Sequence, residues 1–175
     1  MIAIQTLLEQ RSANTNDAIQ LWESLPSVLP DFMLGRWQGF EIATGHPIDG
    51  LLAASGWYGK EFVSEEAVHP LLVRGLGKDR LYPLNPGLVP LSWPLPRVKI
   101  LRTIVALLEP VYRTSTYKAR LRMMEYRGKL TATMVYDEKP INDHFVMIDQ
   151  NTVLGLMDWK GCARPYVFVL ERETS

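Results

Sequence analysis

Cysteine, histidine and surplus charge are scarce in this chain of 175 residues. The one cysteine, Cys162, excludes an internal disulfide and suits a reducing compartment. Nineteen basic side chains balance nineteen acidic ones without forming a basic stripe, so the electrostatic footprint of a nucleic-acid-binding protein is missing. No apolar run approaches the ~18 residues of a membrane helix, and Met1 to Arg11 lack a secretory signal. The sequence therefore predicts a cytoplasmic protein with no nucleic-acid partner and no membrane span.

The motifs of well-known enzymes are missing as well. We find no serine elbow, phosphate loop, dinucleotide glycine pattern or metal-ligand box. The three histidines, His46, His69 and His144, fall in separate segments without the close spacing of a local zinc motif. Their convergence into a three-histidine site is the less favoured alternative, so we predict no metal.

The N-terminal segment, residues 1–30, is predicted to be helical. Apolar residues recur at helical spacing in Ile2 to Gln10 and again in Asp17 to Ser24. Hydrophobic residues make up 47% of the chain and charged residues 22%, which is ordinary for a soluble globular domain. We expect residues 31–175 to form a single domain, with the helices at its side.

A tryptophan between two glycines marks the first long strand, which we predict over Phe32 to Ile42. Alternation along a strand places Gly35, Trp37 and Gly39 on one face. Glycine inside a strand usually indicates a bulge or a close approach. The two glycines are therefore expected to clear space for the Trp37 indole to lie flat across the sheet; an ordinary core tryptophan beside two bulges is the alternative.

A proline-rich segment, Gly75 to Pro96, follows and is predicted to be irregular, because proline cannot sit in a central strand. Residues such as Leu84 and Val89 make it too apolar for a linker. We expect this segment to lie against the domain over the mouth of a pocket. Helical spacing of apolar residues then predicts a helix over Arg97 to Leu108.

The second half of the chain consists of strand-length runs separated by short turns, which is typical of an antiparallel meander. The five runs are Tyr117 to Tyr126, Lys129 to Tyr136, Ile141 to Ile148, Thr152 to Trp159 and Tyr166 to Arg172. A meander must protect its edge strands, and closure into a barrel does so. We therefore predict a mainly β fold with flanking helices, built on an antiparallel β-barrel.

Several motifs together resemble the GXWXG protein family. In the first half these are Gly35-Arg36-Trp37-Gln38-Gly39, Gly45-His46-Pro47, Trp57-Tyr58-Gly59-Lys60 and His69-Pro70-Leu71. In the second half, Glu125-Tyr126-Arg127-Gly128, Asp143-His144-Phe145 and Leu154-Gly155-Leu156-Met157-Asp158 resemble the C-terminal domain of unknown function of that family. The resemblance divides the domain into halves at about residues 31–96 and 117–172, and it implies no assigned activity.

At the level of the fold, the chain resembles calycins, the group of lipocalins, fatty-acid-binding proteins and nitrobindin-like haem barrels. The resemblance to lipocalins implies a cation–π contact between Arg172, on the last strand, and Trp37. Nitrobindin-like barrels bind haem through a histidine near the chain end. No histidine follows His144 here, so haem is disfavoured and no cofactor is predicted.

A small, largely hydrophobic molecule is the predicted ligand, held by apolar residues of the barrel interior and a few polar groups. Ordinary core packing is the alternative for each methionine and aromatic residue. The candidate ligand-binding residues are Trp37, Trp57, Tyr58, Lys60, Leu121, Arg122, Met123, Met134, Phe145 and Met157.

The candidate catalytic residues are His144, His46, Asp143 and Tyr136. Asp143 and His144 are neighbours on a strand, so they point to opposite faces and cannot act together as a dyad. His144 could act alone as an acid or base, because the pKa of a histidine lies near neutrality.

Three functions stay open at this point. The first is ligand binding inside the barrel, and the second is proton-transfer catalysis by an isomerase, cyclase or hydratase in the same cavity. The third is a structural or interaction protein with a filled interior. The oligomeric state also stays open, with a homodimer among the alternatives.

Overall fold

The structure is a computed structural model that describes residues 2–76, 80–89 and 100–174. The helices of these ranges are α1 (Ile4–Gln10), α2 (Thr15–Ser24), α3 (Pro30–Met33), α4 (Leu51–Ser55), α5 (Ile100–Leu107) and α6 (Glu109–Tyr112). The strands are β1 (Gly35–Ile42), β2 (Trp57–Ser64), β3 (Ala67–Arg74), β4 (Leu81–Pro83), β5 (Ala119–Tyr126), β6 (Lys129–Tyr136), β7 (Ile141–Asp149), β8 (Thr152–Trp159) and β9 (Tyr166–Arg172). None of the helices in the described ranges is long and apolar enough to cross a membrane.

The strands of the described residues form one antiparallel sheet in the order β2-β1-β9-β8-β7-β6-β5-β3-β4. Strand β2 also pairs with β3, so the pairing closes a ring and leaves β4 attached outside it. The predicted meander is confirmed, because β5 to β9 pair consecutively. Its first turn places Arg127 and Gly128 at φ 52° and 76°, as a tight hairpin with two positive φ angles requires.

The prediction of one strand over Phe32 to Ile42 is wrong at its beginning. Pro30 to Met33 form a single helical turn, and the strand begins at Gly35. Proline at the first helical position has its φ already set for a helix, which favours this turn. The indole of Trp37 donates a hydrogen bond to the Met33 carbonyl (2.7 Å) and ties the turn to the strand.

Of the two glycines of this strand, Gly39 accommodates a tryptophan other than the predicted Trp37, and a Cβ on Gly35 would lie 3.6 Å from the Arg172 guanidinium. A Cβ on Gly39 would lie 2.2 Å from the indole of Trp57, so the ring of Trp57 occupies the space that Gly39 leaves. Trp37 itself is fully buried in the core. The prediction is therefore wrong for Trp37 and Gly35, and the indole that Gly39 accommodates comes from the neighbouring strand β2.

The two larger apolar cores of the described residues lie on the two faces of the sheet, and a third, small cluster consists of Val73, Tyr82 and Leu84. The inner core lies inside the ring and includes Trp37, Phe62 and Phe145. The outer core lies between the sheet and the N-terminal helices, where Trp22 of α2 is fully buried. Helix α2 begins two residues before the predicted Asp17, because the side chain of Asn14 caps it at the amide of Asn16.

The proline-rich segment contains more regular structure than its sequence suggests. Within the part that is described, Leu81–Pro83 pair with β3, and Pro86–Leu88 form a 3-10 turn. Residues 77–79 and 90–96 of the predicted segment, and residues 97–99 of the predicted helix, lie outside the described residues. The rest of that helix is confirmed as α5, Ile100–Leu107.

Candidate ligand-binding site

A cavity of about 220 Å³ opens inside one half of the ring of strands. Helices α4 and α5 cover it, and the interior faces of the strands form its wall. Its lining is almost entirely apolar. Three lining residues carry charge: Lys60 and Asp143, which are buried, and the half-buried Lys139, whose ammonium donates to the Val89 carbonyl (3.0 Å). Its other lining residues include Ile48, Leu51, Leu52, Trp57, Leu71, Val73, Leu84, Pro86, Val89, Leu101, Ile104, Val105, Leu108, Tyr112, Tyr136, Ile141, Met157, Tyr166 and Phe168.

An irregularity in β2 brings Lys60 into this cavity together with Trp57. Residues three apart on a regular strand face opposite sides of the sheet. The pairing of β2 with β3 shifts register between Trp57 and Glu61, and a bulge of this kind redirects side chains. Gly59 lies within the shift, where a Cβ would stand 1.9 Å from the Trp37 carbonyl oxygen. Only glycine therefore permits this approach of β1 and β2.

Regular pairing in the meander brings Asp143 to the same place from the opposite side. Met134 pairs with Asp143, Asp143 with Met157, and Met157 with Tyr166. These residues form one row across β6, β7, β8 and β9, and all are buried. Because directly paired residues share a face, the row points its side chains into the ring.

Lys60 and Asp143 form an ion pair that is almost completely removed from solvent. The Lys60 Nζ lies 2.8 Å from Asp143 Oδ2, with side chains 3% and 1% exposed. Lys60 also donates to the Pro70 carbonyl (3.1 Å) and to the Tyr136 hydroxyl oxygen (3.4 Å). The ring of Phe168 lies 5.1 Å from the ammonium and adds a cation–π contact.

Burial changes the acid–base properties of the residues around this pair. It raises the pKa of Asp143, although the neighbouring Lys60 ammonium acts in the opposite direction. It raises the pKa of Tyr136 well above its ordinary value, and the charge of Asp143 adds to the effect. Tyr136 therefore keeps its proton at neutral pH and can donate it in a hydrogen bond.

Tyr166 adds a further polar contact at the edge of the cavity. Its hydroxyl donates to Glu41 Oε2 at 2.5 Å, which joins β9 to the neighbouring strand β1. Burial raises the pKa of Tyr166 well above its ordinary value, and the nearby Glu41 carboxylate raises it further. This hydroxyl is committed to a partner within the protein.

Five of the predicted site residues come together at the cavity. They are Tyr136, Asp143, Trp57, Lys60 and Met157. The expectation that Leu84 and Val89 of the proline-rich segment lie over a pocket agrees with their place in its lining.

The other predicted ligand-binding residues lie elsewhere in the structure. Four of them are fully buried in the inner core and do not line the cavity: Trp37, Leu121, Met134 and Phe145. Tyr58 faces away from the cavity, where the guanidinium of Arg74 covers its ring at 4.8 Å.

Two residues of β5 also lie away from the cavity. Arg122 forms an exposed ion pair with Glu66 at 2.6 Å, and Met123 is 37% exposed. Strand β5 is buried only in its first part, so alternation alone could not show where its inner face ends.

The implied contact between Arg172 and Trp37 is confirmed. The guanidinium carbon of Arg172 lies 4.2 Å from the Trp37 ring centroid. The same group donates to the carbonyls of Leu34 (2.7 Å) and Phe32 (2.6 Å). These contacts join the last strand to the first one and lie in the packed half of the ring interior.

His144 lies on the opposite side of the sheet from Asp143, as alternation predicted, and it does not line the cavity. Its Nδ1 is 2.8 Å from the Thr133 hydroxyl, and its ring stacks on Tyr126 at 4.0 Å. Burial lowers the pKa of His144 from 6.5 to about 4. The structure therefore separates His144 from the cavity in which a catalytic role was expected.

His46 is also buried, but it contacts a residue to which the sequence assigned no role. The Ile48 amide donates to His46 Nδ1 (3.3 Å), and His46 Nε2 lies 3.2 Å from Cys162 Sγ. Its ring packs edge-on against Tyr166 at 5.4 Å. His46 thus lies behind the cavity wall and outside the lining. No group of histidine, cysteine, aspartate or glutamate in the described part of the chain is arranged to hold a metal ion.

Some residues that line the cavity were not predicted as ligand-binding residues, although their patterns in the sequence were visible. Tyr166 and Phe168 alternate on one face of β9, and Leu101 and Val105 recur at helical spacing. The alternation showed which residues share a face, but it could not show which part of that face borders open space.

The fold and the site together define an antiparallel β protein that encloses an apolar cavity with a buried ion pair at one end. Sequence profiles match two parts of the chain: the GXWXG protein over residues 20–77, and the domain of unknown function (DUF4334) over residues 117–172. The chain belongs to the GXWXG protein family and carries that second domain in its C-terminal half.

A solved structure is similar over nearly the whole chain. A crystal structure of a protein from Thermomonospora curvata shares 29% sequence identity and superposes with a TM-score of 0.74. The match covers 98% of this chain and 96% of the other. No curated protein matches the sequence.

The buried ion pair generates a prediction about stability. We expect Lys60→Met to lower the free energy of unfolding by about 3–5 kcal/mol, because it leaves the Asp143 carboxylate buried and unpaired. Adding Asp143→Leu should recover most of this loss, because the unpaired charge is then removed. Denaturant unfolding of the single and double variants measures both effects. If the losses of the single variants simply add in the double variant, the pair is not coupled.

The environment of His144 predicts how stability depends on pH. The pKa of His144 is about 4 in the folded protein, compared with the ordinary 6.5. Between these pH values the unfolded chain therefore binds a proton at His144, whereas the folded protein does not. The free energy of unfolding should therefore fall between pH 6.5 and about 4, by about 2–3 kcal/mol from this group. His144→Gln, measured by denaturant unfolding across this range, should lose that part of the slope. Identical pH slopes for both proteins would contradict the assignment.

Proposed function

We propose that this protein binds a small, largely apolar molecule in the cavity, and that its ring of strands is a calycin-like barrel. The observation that carries the proposal is an apolar cavity of about 220 Å³ inside an otherwise packed interior. Folded proteins rarely contain empty spaces of this size, because their interiors pack as densely as organic crystals. The hypothesis of a structural or interaction protein required a filled interior. The cavity therefore favours ligand binding over that hypothesis.

The volume of the cavity supports a ligand somewhat larger than a single aromatic ring. An engineered apolar cavity of about 150 Å³ takes up benzene. A cavity of about 220 Å³ would by the same proportion take roughly nine non-hydrogen atoms. Trp57, Met157 and Phe168 offer such a molecule aromatic and adaptable apolar contacts.

The charges at the buried end also favour a molecule that is apolar over most of its surface. Lys60 and Asp143 neutralise each other, so the buried end of the cavity presents no net charge to a ligand. Binding sites for small molecules commonly combine an apolar lining with a few polar groups that fix orientation. Tyr136 and Asp143 supply that small polar set here.

A variant that fills the cavity tests the proposal. We expect protein purified from its native cells to carry a defined apolar molecule near one-to-one in native mass spectrometry. Leu71→Trp should abolish this adduct, because Leu71 lines the cavity from the rigid strand β3. Val63→Trp is the matched control, because Val63 is 54% exposed on β2 and outside the lining. An adduct that survives Leu71→Trp would contradict binding in this cavity.

A second candidate is a small enzyme of the isomerase, cyclase or hydratase type in the same cavity. Tyr136 and Asp143 favour it, because a proton donor and an acceptor with raised pKa values line the same apolar cavity. His144 and His46, which the sequence suggested for this role, do not reach the cavity.

Exchange of ligand hydrogens with solvent deuterium separates this candidate from simple binding. If the protein moves a proton on the ligand, incubating the protein with its ligand in heavy water should introduce solvent deuterium into the ligand, which is then extracted and analysed. Tyr136→Phe should slow that incorporation at least tenfold and still bind the ligand, because only the hydroxyl is lost. Binding without any protein-dependent exchange or conversion would leave the first candidate alone.

A further inference from the structure

The hydrogen-bonding groups at the buried end of the cavity are not all used within the protein. Lys60 has three N–H donors, and its contacts to Asp143 Oδ2, the Pro70 carbonyl and Tyr136 account for all three. The lysine therefore has no donor left for a ligand. Its charge is also compensated by the carboxylate at 2.8 Å.

Two groups beside the lysine do have free capacity. Asp143 Oδ1 is buried and accepts no hydrogen bond from any described residue. The Tyr136 oxygen accepts a hydrogen bond from Lys60, and the part of the protein described offers no acceptor for its own O–H proton. Asp143 and Tyr136 both line the cavity. The buried end thus presents one unused acceptor and one unused donor.

We propose that the ligand is an apolar alcohol whose neutral hydroxyl group is bound between Asp143 and Tyr136. The inference rests on the proposed binding function and names the chemical class of the ligand. A hydroxyl can donate to Asp143 Oδ1 and accept from the Tyr136 O–H at the same time, so it satisfies both unused groups. The hydrocarbon part would then lie against Met157 and Phe168.

Other polar ends fit this arrangement less well. A carboxylate in this position would bring a second negative charge beside Asp143, where the ammonium of Lys60 is already paired. A pure hydrocarbon or an ether would leave Asp143 Oδ1 without a donor, and a buried acceptor without a partner is costly. Discrimination by one such hydrogen bond is roughly tenfold to hundredfold in affinity.

Two isomeric probes test the inference on the unmodified protein. A straight-chain octanol with a terminal hydroxyl and its isomer, methyl heptyl ether, have the same atoms, and only the alcohol can donate. Isothermal titration calorimetry should show the alcohol binding at least roughly tenfold tighter than the ether. Octanoate is the third probe, and we expect it to bind at least roughly tenfold more weakly than the alcohol.

Two variants assign the effect to the two residues. Tyr136→Phe should weaken the alcohol and the ether by a similar factor, because both accept from the tyrosine, and so should preserve the preference. Asp143→Asn should remove the preference, because the amide can pair with Lys60 through its oxygen and turn a donor to the ligand. If Asp143→Asn does not fold, the three probes on the unmodified protein still decide the question.

Each outcome separates this inference from the proposed function on which it rests. Equal binding of alcohol and ether, both abolished by Leu71→Trp, would overturn the alcohol inference and leave an apolar ligand in place. Tighter binding of octanoate would overturn the inference in the same way. Failure of all three probes to bind, together with no native adduct, would overturn both.

Discussion

The ion pair between Lys60 and Asp143 is the constraint on which the arrangement of the interior depends. It joins β2 to β7, which are far apart in the order of the sheet and meet only across the ring. Two charges can be buried together only when their geometry is good and their remaining hydrogen-bonding groups have partners. The Pro70 carbonyl and Tyr136 supply such partners to the lysine, while Oδ1 of Asp143 has no hydrogen-bond partner among the described residues.

The interior of the ring is divided into a packed half and an open half. In the packed half, Arg172 covers Trp37 and fixes the helical turn before β1, so the first and last strands are held together. In the open half, α4 and α5 cover the cavity, and the buried pair lies at its closed end. Packing on one side of the ring interior thus holds the strands that enclose the cavity on the other side.

The local rules of β structure predicted much of the fold. The five runs of the meander and their turns were read from alternation and turn residues, and β6, β8 and β9 have the bounds that were predicted. Alternation also placed Asp143 and His144 on opposite faces correctly. These rules succeed because a period of two and a tight turn are properties of a few neighbouring residues.

The sequence by itself determined the strands, the turns, the family motifs and the residues that share each face. Tertiary structure alone decided which part of the inner face borders the cavity, since Met134 and Met157 lie in one row yet only the second lines it. It also decided that a bulge around Gly59 turns Lys60 inward, and that Cys162 lies beside His46. The physical reason is the distance along the chain between the residues involved. Strand patterns and turns depend on neighbouring residues. A cavity and the partners of a buried charge depend instead on strands that meet only when the ring closes.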